Sequence, residues 1–153
     1  MQKAKIARKP SGEVIVQFSI FASNRVGRLN DILGFFQSND IHVMALCAID
    51  NTETATVRMV VDYVEPAREL LKKKGVPFHE TEVIAVELER EEQVKIVTCA
   101  LVQAEINIHY LYPFLIRPRG CTGLILSLED RELAEDILRR QGIAVLRRSD
   151  IAR

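Results

Sequence analysis

The chain lacks an excess of charge: twenty-one lysines and arginines offset twenty-one aspartates and glutamates. Without a net field, neither nucleic acid nor an anionic membrane is drawn to it by charge, so neither is an expected partner. Cysteine is scarce as well. Cys47, Cys99 and Cys121 are an odd number, far apart, among apolar neighbours and without C-x-x-C spacing. They are expected to be buried reduced thiols, not a disulfide or a metal site, which suits the cytoplasm. Long apolar runs are missing too. No stretch approaches the ~18 residues of a membrane helix, and the basic start "MQKAKIARKPSG" has no apolar signal core, so a cytoplasmic protein is expected. Catalytic patterns are absent in the same way. His42, His79 and His109 fall on separate elements, with no H-x-x-x-H, paired carboxylates or Walker loop. No metal, no cofactor and no enzyme activity are expected on that ground. Tyr110 and Tyr112 come without an RNP-like sequence or a basic stripe and read as core or interface aromatics, not as a platform for bases. Arg117 and Arg119 in "RPRG" read as a solvated loop, with a phosphate contact as the other possibility.

What is present is apolar content, 48% of 153 residues, enough for one good core or two small ones. The chain also repeats itself. "PARELLKKKGV" falls on "LAEDILRRQGI" at a shift of 67, with Ala67 over Ala134, Leu70 over Ile137, and Lys72 and Lys73 over Arg139 and Arg140. Upstream, "SNDIHVMALCA" falls on "QAEINIHYLYP" at a shift of 65, so that Ile41, His42 and Val43 meet Ile106, Asn107 and Ile108. The change of shift predicts a two-residue insertion in the loop "LIRPRG".

Each repeat reads element by element. Residues 14 to 21, "VIVQFSIF", form a β-branched and aromatic run of strand length, after which Val26, Leu29, Leu33 and Phe36 recur at helical spacing up to "SND". Residues 42–49 and 54–61 read as strands about the turn "DNTE", and Pro66 suits the first turn of a helix that ends in Lys72 to Lys74 and stops at Gly75. A strand at 82–88 completes a β-α-β-β-α-β unit and is expected to open the next one as well, with helix 91–104, strands 106–114 and 121–128, helix 130–140 and strand 143–147 following. The expected fold is α+β: two ferredoxin-like units over residues 14–81 and 82–150, each an antiparallel sheet with both helices on one face. Strand 106–114 places Ile108, Tyr110, Tyr112 and Phe114 on one face, and strand 42–49 is apolar on both. The sheet face without helices is therefore expected to be buried against the other unit or another chain, and a homodimer is expected.

Two such units, with "SNRVGRL" between first strand and first helix and "IHV" or "INI" after that helix, resemble tandem ACT-domain proteins, the amino-acid-sensing modules of regulated metabolic enzymes. The most specific part is "NRVGRLNDIL", which matches the family's Asn-x-x-Gly-x-Leu loop and helix start. Val26 stands where the family frequently has proline. The resemblance implies a non-catalytic regulatory protein that binds a small molecule, an amino acid. It implies ligand-binding residues Asn24, Arg25, Val26, Gly27, Arg28 and Leu29, with His42 and Val43 at the start of the second strand. A similar pair of modules forms the small subunit of acetolactate synthase, so a regulatory subunit with a metabolic enzyme as partner is the alternative. Physics supports the loop, because a helix start leaves N–H groups without partners and carries partial positive charge, and Gly27 would let a carboxylate approach closely. Asn24 as an N-cap and Gly27 as a close-packing site form the blander reading of the same residues. At the shift of 65, Asn24, Gly27 and Arg28 fall on Glu89, Glu92 and Gln93. The second loop, "EREEQV", is then expected to repel a carboxylate, leaving one amino acid per chain, bound by the first unit.

Overall fold

The computed structural model describes residues 6–23, 26–50 and 54–152. They fold as two compact units, one of residues 16–81 and one of residues 82–151 joined by the N-terminal arm, residues 6–15.

In the first unit the order is β1 (Val16–Ser23), α1 (Arg28–Ser38), β2 (Val43–Asp50), β3 (Thr54–Val61), α2 (Val64–Lys73) and β4 (Phe78–Glu82). The strands lie in the order β2-β3-β1-β4. Period-two alternation directs Val16, Phe18, Ile20 and Ala22 of β1, with Val57, Met59 and Val61 of β3, to one face. There they pack with Ile32 and Phe36 of α1 and Ala67 and Leu71 of α2. Fully burying each of the larger side chains contributes roughly 1.5–3 kcal/mol. Pro66 is the third residue of α2, inside the first turn.

The second unit repeats this with β5 (Ile84–Leu88), α3 (Gln93–Gln103), β6 (Ile108–Pro113), β7 (Thr122–Leu128), α4 (Arg131–Arg140), β8 (Ala144–Leu146) and a short α5 (Arg148–Ile151). Its strand order is β6-β7-β5-β8. Ile84, Val86 and Leu88 meet Leu124 and Leu126 on the sheet, and Val97, Leu101, Ala134 and Leu138 cover them from the helices. Both units are thus ferredoxin-like βαββαβ folds with antiparallel sheets.

The repeat extends to backbone detail. Asp40 and Glu105 follow α1 and α3 with the same left-handed φ of 56°. Bulges interrupt β2 between Val43 and Ala45 and β6 between Ile108 and Tyr110. Leu46 faces Met59 in one sheet and Leu111 faces Leu126 in the other, so the offset grows from 65 to 67 across the connecting hairpin, where the insertion was expected.

Two expectations need correction. The strand expected at 82–88 is two strands, Phe78–Glu82 closing the first sheet and Ile84–Leu88 opening the second. "FHETE" is an exposed, charged edge strand with no apolar alternation, which is how sheet edges resist pairing and why its pattern is silent. The bulges also split the apolar faces: Ile108 and Val43 pack with the helices, whereas Tyr110 and Tyr112 pair across from Ser127 and Ile125 on the opposite face. That opposite face is mixed: Ala45, Val60, Ala85 and Ile125 are buried on it, but so are the polar Gln17 and Ser127, so the apolar face that was expected is found only in part.

The arm is bonded along its length to the second unit. The Ala7 N–H donates to the Arg139 carbonyl at 2.8 Å and the Val83 N–H to the Ile15 carbonyl at 3.1 Å. Arg148 donates through its backbone to the Glu13 carbonyl at 3.0 Å, and through Nε to the Val14 carbonyl at 2.9 Å.

Candidate functional site

β1 ends at Ser23, and Asn24 and Arg25 lie outside the described residues. Val26 is fully exposed. Gly27 occupies the N-cap of α1 with φ 85° and ψ −6°, a left-handed conformation that strains other residues. A Cβ built there would meet no atom within 4 Å, so the glycine answers to its backbone angle and faces open space. Among the described residues no side chain caps the helix, and the first intrahelical donor is the Asp31 N–H, 2.9 Å from the Gly27 carbonyl. Among the described residues, the N–H groups of Arg28, Leu29 and Asn30 have no acceptor. They face the positive end of an eleven-residue helix whose first turn carries Asp31 as its only acid.

His42 and Val43 lie elsewhere. They line a cavity of about 260 Å³ with Leu33, Phe36, Gln37 and Ile41, at the opposite end of α1. At 1.5 Å per residue, that helix separates the two groups by about 16 Å within the unit. The structure therefore brings Val26 to Leu29 together, and His42 with Val43, but not the two sets into one pocket. The His42 ring is half-exposed, with Nε2 3.3 Å from Asp40. Its backbone is fixed by a residue the sequence reading missed: the buried Asp62 accepts from the N–H groups of His42 and Tyr63, each at 3.0 Å. An acid at the β3–α2 junction is an N-terminal signal for α2 and could have been noticed.

The second unit's counterpart is chemically closed. Glu92 caps α3 in an ordinary helical conformation, φ −61°. Gln93, Val94 and Lys95 donate to the carbonyls of Arg90, Glu91 and Glu92 at 3.2, 3.0 and 3.2 Å. The Gln93 side chain reaches back to accept from the Glu89 N–H at 2.6 Å.

The remaining candidates are structural. Arg119 pairs with Glu87 at 3.4 Å and with Asp150 at 3.3 Å, so it is tied into the fold. A hydrogen bond to Glu87, aided by desolvation, raises the Cys121 thiol's pKa and keeps it protonated. Cys99 corrects an expectation, for it is exposed on the outer side of α3 while Val97 and Ala100 turn inward. Burial opposes ionisation of Glu135, yet the Arg147 guanidinium at 2.6 and 2.8 Å, with Arg131, holds its pKa below the usual carboxylate value. Tyr110 and Tyr112 stack with centroids 6.3 Å apart. No group of three or more His, Cys, Asp or Glu among the described residues could hold a metal ion. No helix among them is long and apolar enough to cross a membrane.

The family model for the ACT domain pair matches residues 13–153. The chain belongs to the ACT domain pair family. Its fold is that of solved relatives. A protein of Bacteroides thetaiotaomicron is 22% identical, with a TM-score of 0.81, over 90% of this chain and 95% of that one. The regulatory subunit of aspartate kinase from Thermus thermophilus is 15% identical, with a TM-score of 0.59, over 86% and 92%. Its Thermus flavus counterpart is 13% identical, with a TM-score of 0.60, over the same shares. No curated protein matches. Within this ACT pair the two helix starts differ in what they offer a ligand, one open and one closed.

Proposed function

We propose that this ACT pair is a non-catalytic regulatory protein of the cytoplasm that binds one amino acid at the start of α1. The observation that carries the reading is the open helix start, where Gly27 leaves the N–H groups of Arg28, Leu29 and Asn30 available to a carboxylate. Asn24 and Arg25 complete that loop, Asn24 offering both a donor and an acceptor to a zwitterion. His42 and Val43 join the site from a second copy of the chain, since one unit keeps them at the far end of α1. A homodimer is supported by the exposed Phe21 and Ile49, both beside Thr56 on the sheet face away from the helices. Binding is allosteric in this reading, the dimer transmitting it to the regulated process.

A second reading, a regulatory subunit held by an enzyme, draws on the β6–β7 hairpin, whose tip exposes Leu115 and Ile116 side by side. Co-purification from the source cell separates the two, because a subunit carries its enzyme with it.

The test of the main reading is a thermal-shift screen over the twenty proteinogenic amino acids followed by calorimetry. A ligand at ~100 times its dissociation constant stabilises the native state by ~2.7 kcal/mol, a shift of several degrees for a domain of this size. One amino acid should bind at the loop with one equivalent per chain, and Gly27→Asp should remove that equivalent. A variant Gly27→Asp that loses no equivalent, or no shift with any of the twenty, would defeat it.

A further inference from the structure

A groove on the helix side of the first unit has the chemistry of a second site. It measures about 350 Å³ and is lined by Asn30, Asp31, Gly34, Phe35, Ser38 and Asn39 of α1 and by Lys74 at the end of α2. On α1 these residues form one stripe, since Asp31, Gly34, Phe35, Ser38 and Asn39 follow the i, i+3, i+4, i+7, i+8 spacing of a helix face.

Three features mark it as built for a ligand. Asp31 and Lys74 carry opposite charges on the groove's wall, yet among the described residues neither forms a salt bridge, with each other or elsewhere. Lys74 is instead held over the Phe35 ring, its ammonium 4.8 Å from the ring centroid, which gives the groove an apolar wall beside a fixed cation. Gly34 is the third. It sits mid-helix, where glycine is among the least favourable residues, and a Cβ there would meet nothing within 4 Å. Among the described residues no packing contact calls for a glycine at that point, and the bare backbone is open to something that approaches the helix from outside.

We infer that this groove binds a small zwitterion, a free amino acid, separately from the loop site proposed above. Its carboxylate meets the Lys74 ammonium, and its ammonium meets the Asp31 carboxylate. The α-carbon lies against Gly34 and the side chain against Phe35. Asn39 donates its amide N–H to the Phe35 carbonyl at 2.8 Å, which leaves its amide oxygen as a further acceptor for an ammonium group. The groove's volume lies at the small end of ligand sites, which matches a single amino acid.

Amide NMR of the whole chain, titrated in turn with each of the twenty proteinogenic amino acids, tests this residue by residue. At least one should move the signals of Gly34, Phe35, Asn39 and Lys74. Gly34→Ala should raise Tm by a few degrees, because alanine favours the helix and its methyl meets no neighbour, while weakening groove binding about tenfold or more. Lys74→Gln should weaken groove binding about tenfold and leave responses at Gly27 to Leu29 unchanged. Movement at Gly27 to Leu29 without movement in the groove overturns this site and leaves the loop site standing; the reverse pattern does the opposite. The inference also fails if Gly34→Ala binds as wild type. It fails if sedimentation shows that Gly34→Ala abolishes self-association while no amino acid moves the groove, since the glycine then serves contact between copies.

Discussion

α1 and α3 begin at equivalent points of two copies of one fold, and they use their first N–H groups in opposite ways. Before α3, a turn of Arg90, Glu91 and Glu92 accepts all three first-turn donors, and Gln93 closes the loop from its own side chain. Before α1 the chain turns through a left-handed glycine and supplies no cap among the described residues. The lesson is that a duplicated fold keeps its cores and strand registers while the loops at helix starts drift apart. What a helix start binds is decided by three or four residues, and neither core depends on them.

The comparison is strongest if the two cores are equals, and that is the largest effect to measure. Phe36 and Leu101 are buried at the repeat offset of 65, each beneath the first helix of its unit. Phe36→Ala and Leu101→Ala should each cost about 3–5 kcal/mol, read as loss of urea midpoint. A much smaller cost at one of them would show that its unit is a loosely packed passenger.

A charge network gives the second unit a dependence on acid. The Glu135 carboxyl ionises more readily folded than unfolded. Its stabilisation is therefore complete above its unfolded pKa, near 4.5, and is lost as pH falls through the lower folded value. NMR-detected melting from pH 6 to 3 should show the second unit's signals weakening first. Glu135→Gln should cost about 2–3 kcal/mol at neutral pH by stranding Arg147, and should remove that part of the acid response.

At the loops themselves, Gly27→Asp should reduce amino-acid binding at the loop about 100-fold or more through bulk and like charge, and Glu92→Ala should leave it within about twofold. Aspartate tolerates positive φ better than most residues, so the fold should survive the first change. Loss of binding in Glu92→Ala with binding kept in Gly27→Asp would assign the site to the other unit. The smallest effect should come from Gln93→Ala, which removes an exposed cap and should cost about 0.5–1 kcal/mol by thermal melting with no change in binding.

The repeat was legible because helix spacing, terminal lysines and arginines, and the stop glycines Gly75 and Gly142 recur at a nearly constant offset. β4 was not, because the edge strand "FHETE" sends only Phe78 toward the core and carries no apolar alternation. The bulges after Val43 and Ile108 were equally silent: one extra residue moves the next side chain to the other face without leaving a sign in composition. In the site, Gly27 was legible from its place between strand and helix. The distance between Gly27 and His42 was not, since a motif read as a line gives no sense of which end of a helix each residue meets. Asp62 was hidden for a related reason: its partners are backbone N–H groups, which every sequence has.

The arm gives the chain an unusual order of assembly. Because Ile15 and Val83 are hydrogen-bonded to each other, residues 16–81 leave and re-enter the other unit at adjoining points, as an inserted domain does. During synthesis the arm emerges before both units and meets Val83 through Ile15, but Ala7 and Glu13 must wait for Arg139 and Arg148, 132 and 135 residues further on (139 − 7, 148 − 13), before the arm can close onto its unit. The unit whose arm precedes the other unit in the chain is thus the last to be finished, and its closing contacts are of the long-range kind that fold slowly. A circular permutant that joins the arm behind Ile151 would convert those contacts into local ones, and the second unit should then fold faster with its native bonds unchanged.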